Sequence, residues 1–212
     1  MTGPMFDMAF GETLELLLAW RRDVRHFQTR PLPEGVLDRL LETACRGPSV
    51  GNAQPWRFVR ILSPERRSML ADQVDAQKAD AGRRYAGERK AQYEGLKLHG
   101  LREAPEIVAV FCDEQDGAGH GLGRATMPET LCWSAVTAVH TLWLAARAQG
   151  IGLGWVSIID PAGLNTLLDV PQRWRFVALL CLGYPERETE TPELVRHGWQ
   201  ERLDPATTRL VR

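Results

Sequence analysis

The sequence predicts an α+β protein in which helices flank one central sheet, mixed or antiparallel, within a single domain of residues 1–212. Short apolar runs typical of strands are separated by longer segments with helical spacing. These helical segments differ in length, which does not fit the regular crossovers of a barrel or of a doubly wound parallel sheet. The 212 residues are 44% hydrophobic, a fraction that can form one compact core.

The charge balance argues against large anionic partners. The chain has 26 basic and 27 acidic residues and a net charge of -1, so it has no overall positive field for nucleic acid or for a membrane surface. Its four cysteines are far apart, and no histidine or cysteine spacing suggests a metal site. The first residues lack the basic and apolar regions of a signal peptide, so we expect a cytoplasmic protein with reduced thiols.

The first helix is predicted over 12–20, and an arginine-rich segment of residues 21–25 follows it directly. Arg21, Arg22 and Arg25 can converge on one phosphate or carboxylate through their planar guanidinium groups. Asp23 lies inside this segment and weakens anion binding. It is therefore either a partner that orients the arginines or a group with a chemical task of its own.

A second helix is predicted to open at Pro33 and to stop at Gly47. The polar loop, residues 48–54, is dense in turn-forming residues and leads into a predicted strand over 56–62. Side chains of this loop can form hydrogen bonds with the edge of a planar heterocycle, namely those of Ser49, Asn52 and Gln54. A loop between a helix and a strand is a favoured place for a binding site.

The middle of the chain gives weaker signals. We expect a polar helix starting at Ser63 and Pro64, a charged helix or lid over 78–102, a buried strand over 107–112 and a flexible glycine-rich loop over 117–123. A capping-box pattern, Thr126 to Glu129, predicts a helix reaching Gln149. Its uncharged stretch raises the possibility of a membrane span, but interrupting polar residues favour burial between layers or subunits, with His140 as a core histidine.

The last third predicts strands over 155–159 and 176–182 with a short helix over 161–168 between them. Gly152 and Gly154 precede the first of these strands, where we expect the backbone to approach a ligand closely. The polar extension of about 186–212 is too poor in apolar residues to form its own core, and it could embrace a partner subunit.

The arginine-rich segment, the polar loop and the two glycines before the predicted strand over 155–159 together suit a phosphorylated aromatic cofactor. The sequence resembles the flavin-binding nitroreductase superfamily, in which an Arg-Arg-Ser-x-Arg stretch holds the phosphate of FMN and a Pro-Ser-x-x-Asn-x-Gln-Pro-Trp loop meets the isoalloxazine ring. The arginines of residues 21–25 match the first motif, and the second is matched by Pro48, Ser49, Asn52, Gln54, Pro55 and Trp56. The resemblance implies a nitroreductase-like fold and an intertwined homodimer with two FMN sites at its interface.

Asp23 departs from the serine that is usual in this superfamily. An aspartate at this position is characteristic of one branch, and blocks resembling that branch extend over nearly the whole chain, including Leu98–Leu101 and Cys181–Pro185. Its enzymes consume reduced FMN and O2 and form 5,6-dimethylbenzimidazole, the lower ligand of vitamin B12, and erythrose 4-phosphate. The resemblance therefore implies this reaction, with reduced FMN as substrate and a separate flavin reductase to supply it.

The resemblance implies two catalytic residues, Asp23 and Ser157, and no metal. The residues expected to bind FMN are Arg21, Arg22, Asp23, Val24, Arg25, Pro48, Ser49, Asn52, Gln54, Gly154 and Ser157. Neighbouring arginines should favour the carboxylate form of Asp23 and make it a weak base, better suited to orienting a ribityl hydroxyl. Two alternatives stay open, an NAD(P)H-dependent nitroreductase or flavin reductase and a non-catalytic FMN-binding protein.

Overall fold

The computed structural model describes residues 3–115 and 117–212. The helices of these ranges are α1 (Met8–Trp20), α2 (Val36–Ala44), α3 (Pro64–Gly82), α4 (Gly87–Glu94), α5 (Thr130–Arg147), α6 (Leu164–Leu167) and α7 (Glu193–Arg196). The strands are β1 (Trp56–Arg60), β2 (Glu106–Asp113), β3 (Gly152–Val156) and β4 (Trp174–Gly183).

The four strands form one antiparallel sheet in the order β1-β2-β4-β3. The expected α+β class is confirmed, and the sheet is antiparallel rather than mixed. Helix α3 packs on one face of the sheet, whereas α2 and α5 pack on the other. Because both faces are covered, the central strands β2 and β4 carry nearly continuous apolar runs, and those runs are why the sequence revealed them.

Several helix boundaries differ from the sequence predictions. Helix α1 begins four residues early because the Asp7 side chain accepts a hydrogen bond from the backbone N–H of Phe10 at 2.9 Å, which caps the helix. Helix α2 begins after Gly35, whose φ of 74° ends the turn that Pro33 starts. The predicted capping box before α5 is wrong, since the Glu129 side chain makes no capping hydrogen bond.

Helix α5 is buried along one side only. Leu131, Ala138 and Leu142 lie in the core, whereas Trp133 is 51% exposed. His140 is also exposed, so the prediction of a core histidine is wrong. Within residues 3–115 and 117–212, no helix is long and apolar enough to cross a membrane.

The charged region 78–102 folds as the end of α3, the helix α4 and a following turn. Tyr93 packs against Tyr85 and Trp199, with ring centroids 4.8 Å and 5.9 Å away. His99 is buried with its Nε2 2.9 Å from the Asp75 carboxylate, which Arg102 also contacts at 2.8 Å. These two side chains therefore tie the turn to α3.

The C-terminal extension begins by packing on its own chain. Glu188 pairs with Arg147 on α5 at 2.6 Å, and Glu193 lies 3.3 Å from His26. Residues 201–212 are exposed throughout. That this end of the extension reaches a partner subunit stays a prediction.

Candidate functional site

The arginine-rich segment runs along the free edge of β3. The backbone N–H of Val24 donates to the Leu153 carbonyl at 3.0 Å, and Asp23 and Leu153 form a parallel bridge. A Cβ at Gly154 would overlap the Val24 carbonyl oxygen, and one at Gly152 would lie 2.8 Å from the Val24 side chain. The side of these glycines that a Cβ would occupy is thus filled by Val24, and the binding of FMN near Gly154 stays a prediction.

Asp23 is fixed by two hydrogen bonds. Its Oδ1 accepts from the backbone N–H of Trp155 at 2.8 Å, and its Oδ2 accepts from Arg25 Nη2 at 3.1 Å. Burial raises the pKa of Asp23, and although Arg25 and the Trp155 N–H act in the opposite direction, the pKa lies above its ordinary value. The arginines thus act on Asp23 in the expected direction, and burial acts against them.

The three arginines of the segment have different partners. The Arg22 guanidinium donates to the carbonyl oxygens of Ala19, Arg21 and Glu190, which caps the end of α1. Arg25 donates to Asp23 and, through Nη1, to the Lys97 carbonyl at 3.2 Å. Arg21 stacks instead on the Trp143 ring, with its guanidinium carbon 4.8 Å from the ring centroid.

Two features of this cluster fit a phosphate. Among the residues that the structure describes, the Nε atoms of Arg22 and Arg25 are buried without a hydrogen-bond partner, and buried donors of this kind normally have one. Burial lowers the pKa of Arg21, Asp23 raises it, and the like charge of Arg202 lowers it further, with a net pKa below the ordinary value. An anion among these arginines would relieve both features.

Arg202 is a residue that the sequence interpretation missed. Burial is the main cause that lowers the pKa of Arg22, and the charge of Arg202 is the next. Arg202 comes from the polar extension, about 180 residues after the arginine-rich segment. Its sequence context carried no signal, because an arginine in a polar tail is ordinary and only the folding of the chain places it here.

A cavity of about 350 Å³ lies beside the segment. Its lining includes Arg22, Asp23, Val24, Arg25, Trp143, Arg147 and Gly152, with residues of the extension such as Glu188 and Arg196. The structure therefore brings together four of the predicted FMN-binding residues. Arg21, Gly154, the polar loop and Ser157 do not line this cavity.

The polar loop is anchored on α5. The Pro48 carbonyl accepts a hydrogen bond from the Thr137 hydroxyl at 2.6 Å, and the Ser49 hydroxyl accepts from the Gln54 N–H at 3.1 Å. Asn52 and Gln54 have φ angles of 53° and 48°, a left-handed conformation that costs free energy in residues other than glycine. Both side chains are exposed, so the fold holds two amides in a fixed, accessible arrangement.

The glycine-rich segment covers this loop rather than forming an independent flexible loop. A Cβ at Gly119 would lie 2.8 Å from the Gly51 carbonyl oxygen, and one at Gly51 would lie 2.9 Å from the Leu122 carbonyl oxygen. The two backbones can approach this closely only because both positions are glycine.

Ser157 follows the last residue of β3 and is exposed. It lies two residues beyond Trp155, whose N–H holds Asp23. Within the described part of the chain its hydroxyl forms no hydrogen bond. The Ser157 hydroxyl is thus available to a ligand rather than used in the fold.

Comparison with known proteins identifies the family to which this arrangement belongs. The sequence pattern of the nitroreductase family matches residues 18–184, which include the arginine-rich segment, the polar loop and Ser157. The chain belongs to the nitroreductase family. It is 54% identical over 201 residues to a 5,6-dimethylbenzimidazole synthase of Rhodospirillum rubrum, and the match covers 95% of each protein. A synthase of the same name from Rhodobacter capsulatus is 50% identical, with 93% of this chain and 96% of the relative covered.

The fold also occurs in solved structures of other proteins. An iodotyrosine deiodinase bound to FMN and 3-iodo-L-tyrosine matches with a TM-score of 0.69 and 25% identity, covering 83% of this chain and 91% of the other. The fold is therefore one on which other proteins bind FMN, and the unpaired arginine nitrogens of this chain suit the phosphate of that flavin.

Proposed function

We propose that this chain catalyses the oxygen-dependent fragmentation of reduced FMN to 5,6-dimethylbenzimidazole and erythrose 4-phosphate, which supplies the lower ligand of vitamin B12. The observation that carries the proposal is the 47–54% identity to three synthases of that name, over more than nine-tenths of this chain. Asp23 is held inside the arginine-rich segment by Trp155 and Arg25, as an enzyme with an ionisable group beside its phosphate site requires. Reduced FMN is the substrate here, and it supplies both the carbon atoms of the products and electrons for O2.

The phosphate would be held by Arg21 and Arg25, with Arg202 adding charge from the extension. Arg22 was also expected to bind FMN, but its Nη atoms are occupied by backbone carbonyl groups. We infer that Arg22 mainly fixes the end of α1 and adds positive charge to the site. The exposed amides of Asn52 and Gln54, with Ser49 and Pro48 supporting them, are suited to the polar edge of the flavin ring.

Asp23 and Ser157 are our candidates for the catalytic residues. Asp23 has a raised pKa, so its carboxyl group can accept or hold a proton nearer to neutral pH than an ordinary aspartate can. Ser157 offers an unbonded hydroxyl at the end of the strand that also fixes Asp23. Their common attachment to β3 gives the two groups a rigid relation to each other.

We also propose that the chain acts as a homodimer. Helix α1 contains no buried residue, and most of its apolar side chains are exposed, including Phe10 at 48% and Leu16 at 59%. The exposed Trp133 of α5 and Leu203 of the extension offer further apolar surface. A second copy would cover surface of this kind. A separate reductase would deliver reduced FMN in the cytoplasm, where reducing conditions prevail.

The test is a single aerobic turnover. Chemically reduced FMN is mixed with the protein without oxygen, oxygen is admitted, and flavin, benzimidazole and erythrose 4-phosphate are measured by chromatography and mass spectrometry. We expect irreversible loss of flavin and one benzimidazole for each flavin lost. Asp23→Asn should abolish the product, whereas Asp38→Asn, on the exposed side of α2, should not. Complete recovery of oxidised FMN without benzimidazole would contradict the proposed function.

An NAD(P)H-dependent flavin reductase is the second candidate, favoured by 27% identity to an NADH dehydrogenase of Thermus thermophilus, covering 79% of this chain and 84% of that protein. Steady oxidation of NADH or NADPH with bound FMN would support that candidate. FMN binding without either activity would instead support a role in flavin storage.

A further inference from the structure

We propose that Trp143 is the positioning residue of the phosphate site and that it presents Arg21 as the main phosphate-binding side chain. This inference deepens the proposed function, because it assumes that the ligand is a flavin with a terminal phosphate. It rests on how the guanidinium group of Arg21 is held, compared with those of Arg22 and Arg25.

The three arginines of the segment keep different numbers of donors free. Arg22 uses its Nη atoms on three carbonyl groups, and Arg25 uses its own on Asp23 and the Lys97 carbonyl. Among the described residues, Arg21 forms no side-chain hydrogen bond, and its contact is with the face of Trp143 at 4.8 Å. A contact of this kind forms no hydrogen bond, so the N–H donors of Arg21 stay available to an anion.

Trp143 holds the segment at a second point. Its indole Nε1–H donates to the Arg22 carbonyl oxygen at 3.1 Å, so one side chain fixes both the backbone and the neighbouring guanidinium group. The Trp143 ring itself lies 6.4 Å from the Trp155 ring, and the backbone N–H of Trp155 holds Asp23. Arg21 therefore lies over a ring that belongs to α5 and that lies beside a ring of β3, rather than over a side chain of a flexible loop.

The fixed position of Arg21 is useful only when an anion is present. Burial and the nearby charge of Arg202 both disfavour the charged form of Arg21, and a phosphate between them would offset these costs. Free arginine side chains lose much rotamer entropy on binding, whereas a stacked one has lost part of it already. Trp143 should thus increase affinity for the phosphate without touching the flavin ring.

The experiment compares FMN with riboflavin, which has the same ring and no phosphate. Equilibrium binding of each oxidised flavin is measured by fluorescence quenching in phosphate-free buffer for wild type, Trp143→Leu, Trp143→Phe and Arg21→Gln. We expect Trp143→Leu to weaken FMN binding about 5- to 30-fold, the range of a partly desolvated cation–π contact, and riboflavin binding less than about 2-fold. Trp143→Phe keeps an aromatic face and should restore most of the FMN affinity.

Trp174→Leu is the matched control. Trp174 also donates its indole N–H, to Asp113 at 2.9 Å, and also has an arginine over its ring, Arg57 at 5.9 Å. Trp174 is the first residue of β4, at the end of that strand that does not pair with β3. Its loss should therefore lower the melting temperature and leave the ratio of FMN to riboflavin affinity unchanged.

A double-mutant cycle gives the second criterion. If Trp143 acts through Arg21, then Arg21→Gln should change FMN affinity strongly in wild type and little in the Trp143→Leu background. Equal losses of FMN and riboflavin affinity in Trp143→Leu, or additive effects in the cycle, would overturn the proposal. Should Trp143→Leu fail to fold, Trp143→Met, which also lacks an aromatic face, combined with Arg21→Gln provides the same cycle. Wild type that binds FMN tightly without forming benzimidazole would contradict only the proposed function, whereas wild type that does not bind FMN would contradict both.

Discussion

Gly154→Ala should detach the arginine-rich segment from the sheet. The added methyl group would overlap the Val24 carbonyl oxygen, which is backbone and cannot rotate away. Two hydrogen bonds depend on the present approach, that of the Val24 N–H to Leu153 and that of the Trp155 N–H to the Asp23 carboxylate. A backbone hydrogen bond contributes about 0.5–1.5 kcal/mol and one to a charged group about 1.5–3 kcal/mol, so we expect a loss of about 2–4 kcal/mol.

The assay is chemical unfolding of the flavin-free protein at fixed concentration, together with FMN binding. For a chain of this length the loss corresponds to a decrease in melting temperature of roughly 5–15 °C, and FMN affinity should fall with it because Arg25 loses its fixed partner. Gly95→Ala is the control, since its methyl group would meet only an ordinary contact at 3.5 Å.

Gly152→Ala separates backbone crowding from side-chain crowding. Its methyl group would lie 2.8 Å from a methyl carbon of Val24 and 3.1 Å from the Val24 Cβ, so Val24→Ala, which removes the methyl carbons, should rescue much of the lost stability. The same second substitution should not rescue Gly154→Ala, because truncating the side chain leaves the carbonyl oxygen in place. Rescue of both variants, or unchanged stability and FMN affinity in Gly154→Ala, would contradict the conclusion that the close approach of Val24 to Gly154 holds the arginine-rich segment on β3.

Three further predictions concern single side chains. The raised pKa of Asp23 means that its ionisation costs folding free energy. The stability of the wild type should therefore fall as pH rises from about 4 through that pKa, and Asp23→Asn should remove this pH dependence. Urea unfolding that gives both proteins the same pH profile would contradict this prediction. Ser157→Ala should lose benzimidazole formation with unchanged melting temperature, because the hydroxyl is exposed and unbonded in the described chain. Asp113 is 2% exposed and binds Arg173 and Trp174, so Asp113→Ala should destabilise by about 2–4 kcal/mol at pH 7, a value reduced for the exposure of the arginine. Burial raises the pKa of Asp113, but these hydrogen bonds lower it below its ordinary value overall. The difference in stability between wild type and Asp113→Ala should therefore shrink as pH falls below about 4. A difference at pH 3 as large as that at pH 7 would contradict this prediction.

The sequence predicted the parts of the fold that are set locally. Strands β2 and β4 are covered on both faces and therefore appear as apolar runs, and Ser63 caps α3 as expected, accepting from the Arg66 N–H at 3.2 Å. The resemblance to the nitroreductase superfamily added predictions of which residues form the site. The features that the sequence did not reveal depend on contacts between distant positions.

Gly154 illustrates the difference. As a glycine in a strand it predicted a close approach, and a close approach is present, but only the structure shows that the approaching group is Val24. Trp143 and Arg202 gave no signal at all, since a tryptophan in an apolar helix and an arginine in a polar tail have ordinary local explanations. Similarly, the sequence contains the charges around Asp23 but not its burial, and burial decides the direction of its pKa.

Asp23 does more than a serine could at the same position. A serine hydroxyl could also accept the hydrogen bond from the Trp155 N–H, so attachment to β3 alone does not require an acid. What the carboxylate adds is a charged contact with Arg25 Nη2, and among the described residues the Nε of the same guanidinium group is buried without a hydrogen-bond partner. An anion bound among the arginines would add negative charge beside a carboxyl group whose pKa is already raised, and would raise that pKa further. Binding of a phosphorylated substrate would thus itself favour the protonated form of Asp23, which a serine could not provide.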